Sequence, residues 1–323
     1  MSGNSSKPSF WRCFCLPRLH DFFIAEFSLH GLGLNYFRTT DFVTSQWSWM
    51  KPWIFTTYRV IVALGMLVWI SFDIPTEIHR FYKDQTAMWF VYVTNWAFGL
   101  LTLVLFTLAI YTLVYNCPPR DNTTVVFYQP IWLLYTVAAN AMLVTCIVYW
   151  VALSDSDLGV LTSMMGKLKH SLSGAVVLVD IILSAIPFRL LHVVYPLLFG
   201  LIYSVFTYVF WLANGYGPFR IGQVYPGLNW SRPRTAILVC LCAILICFLV
   251  QIVIYLIYFL RVKLSQCNGG RGYSDNTLKG KSGYGEIGQT LRDQANKNEL
   301  ISVTSMTTLA EPITGPEYGT VVE

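Results

Sequence analysis

The sequence predicts an all-α, multi-pass transmembrane bundle of about six spans, followed by a disordered C-terminal tail. Three observations predict it. Six runs, at roughly 54–72, 88–114, 131–153, 171–188, 190–213 and 235–260, approach the ~20 apolar residues that a helix needs to cross a bilayer core. Only 12% of the 323 residues are charged, about half the share of a soluble domain. None of the runs alternates polar with apolar residues, which sets a barrel aside and leaves helices, whose backbone is satisfied internally.

Taken in order, the chain divides into a cytosolic or interfacial N-terminal segment (1–53), a six-span domain (54–264) and a polar tail (265–323). Met1 to Ser9 is polar and no small-residue cleavage site follows an apolar core, so the first span is expected to serve as the insertion signal. Phe22 to Met50 is amphipathic but broken by Glu26, His30, Arg38 and Asp41, and is expected to pack at the interface or against the bundle. The fourth run carries Asp180 and closes on Pro187. Proline lacks an N–H and disfavours helix in the residue before it, so a tight helical hairpin turning at Ile186-Pro187-Phe188-Arg189 is expected, with one long kinked helix as the alternative. Past Gln266 the composition turns to Gly, Ser, Thr, Asn and Lys, which offers too little apolar burial to offset the entropy of ordering.

Lys and Arg near the spans divide seven against seven between the two sides, and Lys7, Arg12 and Arg18 tip the balance towards cytosolic termini. Cysteines agree, since Cys13, Cys15, Cys117 and Cys267 fall on the terminal side and Cys146, Cys240, Cys242 and Cys247 within spans. The four terminal-side cysteines are candidate palmitoylation sites. The Cys13-Phe14-Cys15 spacing, with no nearby Cys or His pair, does not make a zinc site. No metal or cofactor is called for. The net charge of +5 is spread over loops and tail without a basic block, which sets a nucleic-acid partner aside and leaves the lipid bilayer, and a lipid ligand, as the expected company.

Polar side chains inside spans are costly and so mark positions to weigh. They are Arg59, Thr94, Asn95, Asn140, His170, Asp180, Arg189, His192 and Asn214. Asp180, the deepest carboxylate, needs a cation or several hydrogen bonds. Arg59 is its simplest partner, while Arg189 and His192 lie nearer in sequence. Thr136 and Asn140 share a helix face and suit hydrogen bonding between helices. An intramembrane nucleophile needs a base within reach, and Thr94 could meet His170 if the second and fourth spans are neighbours.

Several motifs, in order, carry a resemblance. Phe42-Val-Thr-Ser-Gln-Trp47, Tyr58-Arg59, Tyr92-Val-Thr-Asn-Trp96, His170 through Asp180, Pro187-Phe-Arg-Leu-Leu-His192-Val-Val-Tyr-Pro196 and Tyr225-Pro-Gly-Leu-Asn-Trp230 resemble the rolling stone family of animal membrane proteins. The resemblance covers roughly Cys13 to Arg261. It implies a plasma-membrane protein acting in cell–cell contact or fusion, as in myoblast fusion, with no assigned chemistry. The chain is more distantly similar to the androgen-induced-gene hydrolases, intramembrane threonine hydrolases of fatty-acid esters. That similarity implies Thr94 as nucleophile, within Tyr92-Val93-Thr94-Asn95-Trp96. The family's base position falls on Ser173, so His170 is the nearest imidazole. A contact protein without chemistry is thus the leading expectation, a lipid-ester hydrolase the alternative, and a transporter or channel built on Asp180 the third.

Overall fold

The computed structural model describes Phe27 and residues 29–82, 84–117, 125–154, 163–215 and 221–267. The tail from 268 onward, with Cys13 and Cys15, lies outside the described residues. Among the described residues six long helices stand out: α1 (Pro52–Phe81), α2 (Val93–Asn116), α3 (Tyr128–Val148), α4 (Met164–Leu183), α5 (Val194–Leu212) and α6 (Pro233–Cys267). Five are long and apolar enough to cross a membrane, with α3 extended to Leu153 by one π-helical turn and α5 preceded by the 3-10 turn Leu190–Val193. The sixth, α4, carries too many charges to meet that measure. At 20 residues it is nevertheless about 30 Å long.

The ends of the helices sort into two sets. Asn116 at the end of α2 donates to the Val43 carbonyl (3.0 Å), Ser265 of α6 to Gln46 (2.9 Å), and Ser45 bridges to Ser184 just past α4. At the opposite set, Tyr92 before α2 packs edge-on against Tyr225 between α5 and α6, and Tyr149 after α3 stacks on His170 of α4. Helix α4 therefore runs from one set to the other like its neighbours, so the described helices traverse the bundle six times.

Helix α3 is the hub, packed by α2, α4, α5 and α6, while α1 packs on α2. Trp132, Tyr135, Ala138, Ala139 and Met142 of α3 are fully enclosed. Helices α3 and α4 approach closely at Gly174, where an added Cβ would stand 3.0 Å from the Cys146 sulfur, the small-residue contact that close membrane helices use. Helices α5 and α6 turn rows of Leu, Ile and Val outward, including Leu198, Leu201, Leu241 and Leu245, as a lipid-facing rim requires.

Three expectations are corrected. The first span does not stop at 72: α1 continues to Phe81 through Pro75, because Asp73 and Glu77 find a cation inside the bundle. The fourth helix starts earlier than expected, with Ser163 as its cap (Oγ accepts from the Gly166 N–H, 3.0 Å), and stops at Leu183. Residues Ser184–Arg189 then run extended rather than turning a hairpin, and α4 packs on α3 and α6 rather than on α5. Buried non-helical backbone is tolerated only when its polar groups are met. Here Ala185 N–H donates to Thr44 (3.0 Å), Arg261 to Ile181 and Ile186, Trp132 to Pro187 (2.8 Å) and Gln251 to Arg189 (2.9 Å). The four partners, the Thr44 carbonyl and the Trp132, Gln251 and Arg261 side chains, come from three separate stretches of sequence.

Candidate functional site

Two carboxylates four residues apart, Asp73 and Glu77, lie on one face of α1. Lys169 of α4 reaches both, its Nζ 2.6 Å from Asp73 Oδ2 and 2.7 Å from Glu77 Oε1, and donates a third bond to Asn95 Oδ1 of α2 at 2.9 Å. An ammonium has three N–H donors, so Lys169 is fully used. Asn95 spends its amide N–H groups on the Trp89 carbonyl (2.8 Å) and Glu77 (3.3 Å), and Tyr82 donates to Glu77 (3.3 Å). Asp73 also accepts from the Trp89 indole at 3.2 Å. With Lys169 only 2% exposed and Asp73 fully buried, the cluster ties α1 to α4 by charge and α2 to both through the Asn95 amide.

Beside this cluster a small cleft is lined by Glu77, Tyr82, Tyr92, Thr94, Asn95, Gly166, Lys169 and His170, with room for water rather than an acyl chain. Thr94 is the second residue of α2, where backbone N–H groups have no partner within the helix. The His170 ring lies flat on Tyr149, centroids 3.9 Å apart and planes 7° apart, and its Nδ1 is buried with no hydrogen-bond partner. No hydrogen bond joins Thr94 to His170 among the described residues. The Tyr92 ring stacks on Tyr82 and meets Tyr225 edge-on at 5.7 Å, and the Tyr92 hydroxyl is buried beside that of Tyr82 without a well-formed hydrogen bond.

Three phenols at this end lie outside the spans and share one electrostatic character. Burial, with the Glu77 carboxylate beside it, holds Tyr82 well above the usual phenol range, and burial does the same for Tyr92. Burial pushes Tyr225 up to about 12, opposed by the Thr94 and Tyr203 hydroxyls and the Val93 and Thr94 backbone next to its oxygen. An unfolded tyrosine titrates near 10, so folding favours the neutral phenol. That stabilisation is complete below pH about 10 and is lost as pH rises through about 12. The melting midpoint in detergent should therefore fall steeply across that window, and less steeply in Tyr225→Phe. An equal fall in both proteins would show that Tyr225 is not the group responsible.

The remaining sequence candidates sit elsewhere. Arg59 Nη1 stands 2.7 Å from Asp180 Oδ1 at the terminal end of the bundle. Tyr58 donates to the same oxygen (3.1 Å) and Tyr135 to Oδ2 (2.5 Å). Asp180 thus presents no free oxygen to a cargo. Arg189 and His192 do not meet it: Arg189 donates to the Gly33 (2.6 Å) and Asn35 (3.2 Å) carbonyls and lies over Trp132, and His192 Nε2 is 3.4 Å from the Gly33 carbonyl. Both fasten the N-terminal segment. Asn140 donates to Gln251 (2.9 Å) and to the Cys247 carbonyl (3.2 Å), linking α3 to α6. Asn214 ends α5 in a left-handed conformation, φ 50°. Cys117 is free and exposed, and Cys267 is disulfide-bonded. Among the described residues no three His, Cys, Asp or Glu side chains cluster to hold a metal.

Sequence reasoning missed Asp73, Glu77, Lys169 and Tyr82. One signal was available: two carboxylates at i and i+4 just beyond an apolar run, and a lysine beside the expected start of another, ask for each other if both helices continue.

Fold and site define an all-α multi-pass membrane protein with a polar, charge-paired cleft at one end of its spans. The rolling stone family model matches residues 16–268, and the chain belongs to that family. Protein rolling stone of Drosophila melanogaster is 26% identical over 224 residues, which span 66% of this chain and 80% of the fly protein. No solved structure matches the chain.

Proposed function

We propose that this membrane protein hydrolyses a lipid ester, with Thr94 as nucleophile and His170 as base. One observation carries the reading: Thr94 of α2 and His170 of α4 line the same small cleft. In the reaction His170 takes the Thr94 hydroxyl proton as Oγ bonds to the ester carbonyl carbon. The bond from that carbon to the alcohol oxygen then breaks, and the alcohol leaves with the proton that His170 returns. Water attacks the acyl-threonine with His170 again accepting a proton, which releases the fatty acid and restores Thr94. The cleft has no room for an acyl chain, so in this reading only the ester group approaches Thr94 and the chain stays in the lipid.

A fluorophosphonate probe tests this directly on purified protein in bilayers. Wild type should label covalently, Thr94→Ala should not, and His170→Gln should label about 10²–10⁴-fold more slowly, the usual worth of a general base. An unlabelled wild type in both detergent and bilayers would remove the hydrolase.

A second reading is a role in cell–cell contact or fusion at the plasma membrane that needs no chemistry. Family membership supports it, as does the saturation of Lys169 and Asn95, which suits packing. Under this reading Thr94→Ala keeps full activity in a cell-fusion assay.

A further inference from the structure

An ester hydrolase must stabilise the negative charge that develops on the carbonyl oxygen, and the cleft has few donors left to do it. Lys169 has all three N–H groups committed to Asp73, Glu77 and Asn95. Asn95 donates to Trp89 and Glu77, and Tyr82 to Glu77. Two hydroxyls remain near Thr94. The Tyr92 side chain lines the cleft and is only 3% exposed, and its hydroxyl makes no well-formed hydrogen bond, with the Tyr82 hydroxyl beside its oxygen and its own O–H uncommitted. The Tyr225 hydroxyl is likewise buried without a well-formed hydrogen bond, beside the Thr94 hydroxyl and the first-turn backbone of α2. Resting on the hydrolase reading, we propose that the Tyr92 and Tyr225 phenols are the donors that receive the carbonyl oxygen as Thr94 attacks.

Three features of the geometry bear this out chemically. Both rings are fixed before any substrate arrives: Tyr92 is held between Tyr82 and Tyr225, at 5.8 and 5.7 Å between centroids. Preorganised donors cost no reorganisation at the moment of reaction, which is the source of their effect. The Tyr225 oxygen also faces the positive end of α2, and a phenol whose oxygen is drawn on by N–H groups is a stronger O–H donor. Finally, both phenols keep their protons at neutral pH, so each has a hydrogen to give.

The test is the rate of fluorophosphonate labelling of the full chain in bilayers, for wild type, Tyr92→Phe and Tyr225→Phe. Phenylalanine keeps the ring contacts and removes only the donor. Loss of one such donor typically slows the chemical step about 10²–10³-fold. Each variant should slow by at least tenfold with an unchanged melting midpoint, and kcat for a fatty-acid ester should fall with KM unmoved. If wild type does not label, the hydrolase reading itself fails. If wild type labels and both variants label within twofold of it, the hydrolase stands and the phenols are not its donors. A rise in KM at constant kcat overturns the proposal in the same way, by assigning the phenols to ground-state binding. Should Tyr92→Phe not fold, Tyr225→Phe carries the same readout.

Discussion

Asp180→Asn should cost about 3–5 kcal/mol of stability, the typical penalty for stripping one partner from a buried ion pair. Its effect should exceed that of Arg59→Met, although the two substitutions break the same contact. Arg59 is 1% exposed, and the Asp180 carboxylate is the one anion against it among the described residues. Its other company is the Phe55 ring, 5.0 Å from the guanidinium carbon. A guanidinium cannot shed its proton, so without Asp180 it remains a buried, uncompensated cation. Asp180 left alone is better placed, because Tyr58 and Tyr135 still donate to it. The double substitution Arg59→Met with Asp180→Leu should recover much of the loss, since replacing both partners with apolar groups of similar volume is often neutral. Thermal midpoints in detergent decide the matter. Wild-type melting of Asp180→Asn would mean that water reaches the pair.

Lys169→Met should cost about as much, roughly 3–5 kcal/mol, for the opposite reason. It leaves Asp73 and Glu77 on one turn of α1 with no cation between them, and it frees Asn95 Oδ1. Restoring neutrality should rescue the protein in part: Asp73→Asn, added to Lys169→Met, removes the repulsion and should raise the melting midpoint, whereas alone in wild type it should lower it. That change of sign is the signature of a coupled pair and cannot arise from two independent sites. Lys169→Arg should rescue poorly, because a planar fork does not present three donors to acceptors arranged around a point charge. The same cluster fixes Asn95 and the turn of α4 that carries His170, next to Thr94 and to the cleft, so probe labelling should weaken along with stability. Labelling that survives intact in a folded Lys169→Met protein would separate the cluster from the cleft.

The helical class, the existence of six long segments and the apolar character of their outward faces were legible in the sequence. Transfer of apolar side chains from water is a local property, additive along a run, and bilayer thickness sets the length to look for. The family was legible too, from motifs that lie within single segments. Pairings across the chain were not. Whether α1 ends at 72 or 81 depends on a lysine nearly a hundred residues away, because two buried carboxylates are intolerable or stabilising according to what stands opposite them. The stretch Ser184–Arg189 is extended because Trp132, Gln251 and Arg261 meet its carbonyls, and no local rule about proline contains those three partners.

The candidate site divides in the same way. Thr94 and His170 could be singled out one at a time as polar residues where lipid-facing helices do not carry them. Tertiary structure alone brought them to one cleft, used up the donors of Lys169 and Asn95, and left two phenols unspent. Hydrogen-bond capacity is a count over all neighbours in space, and a linear chain does not display its neighbours.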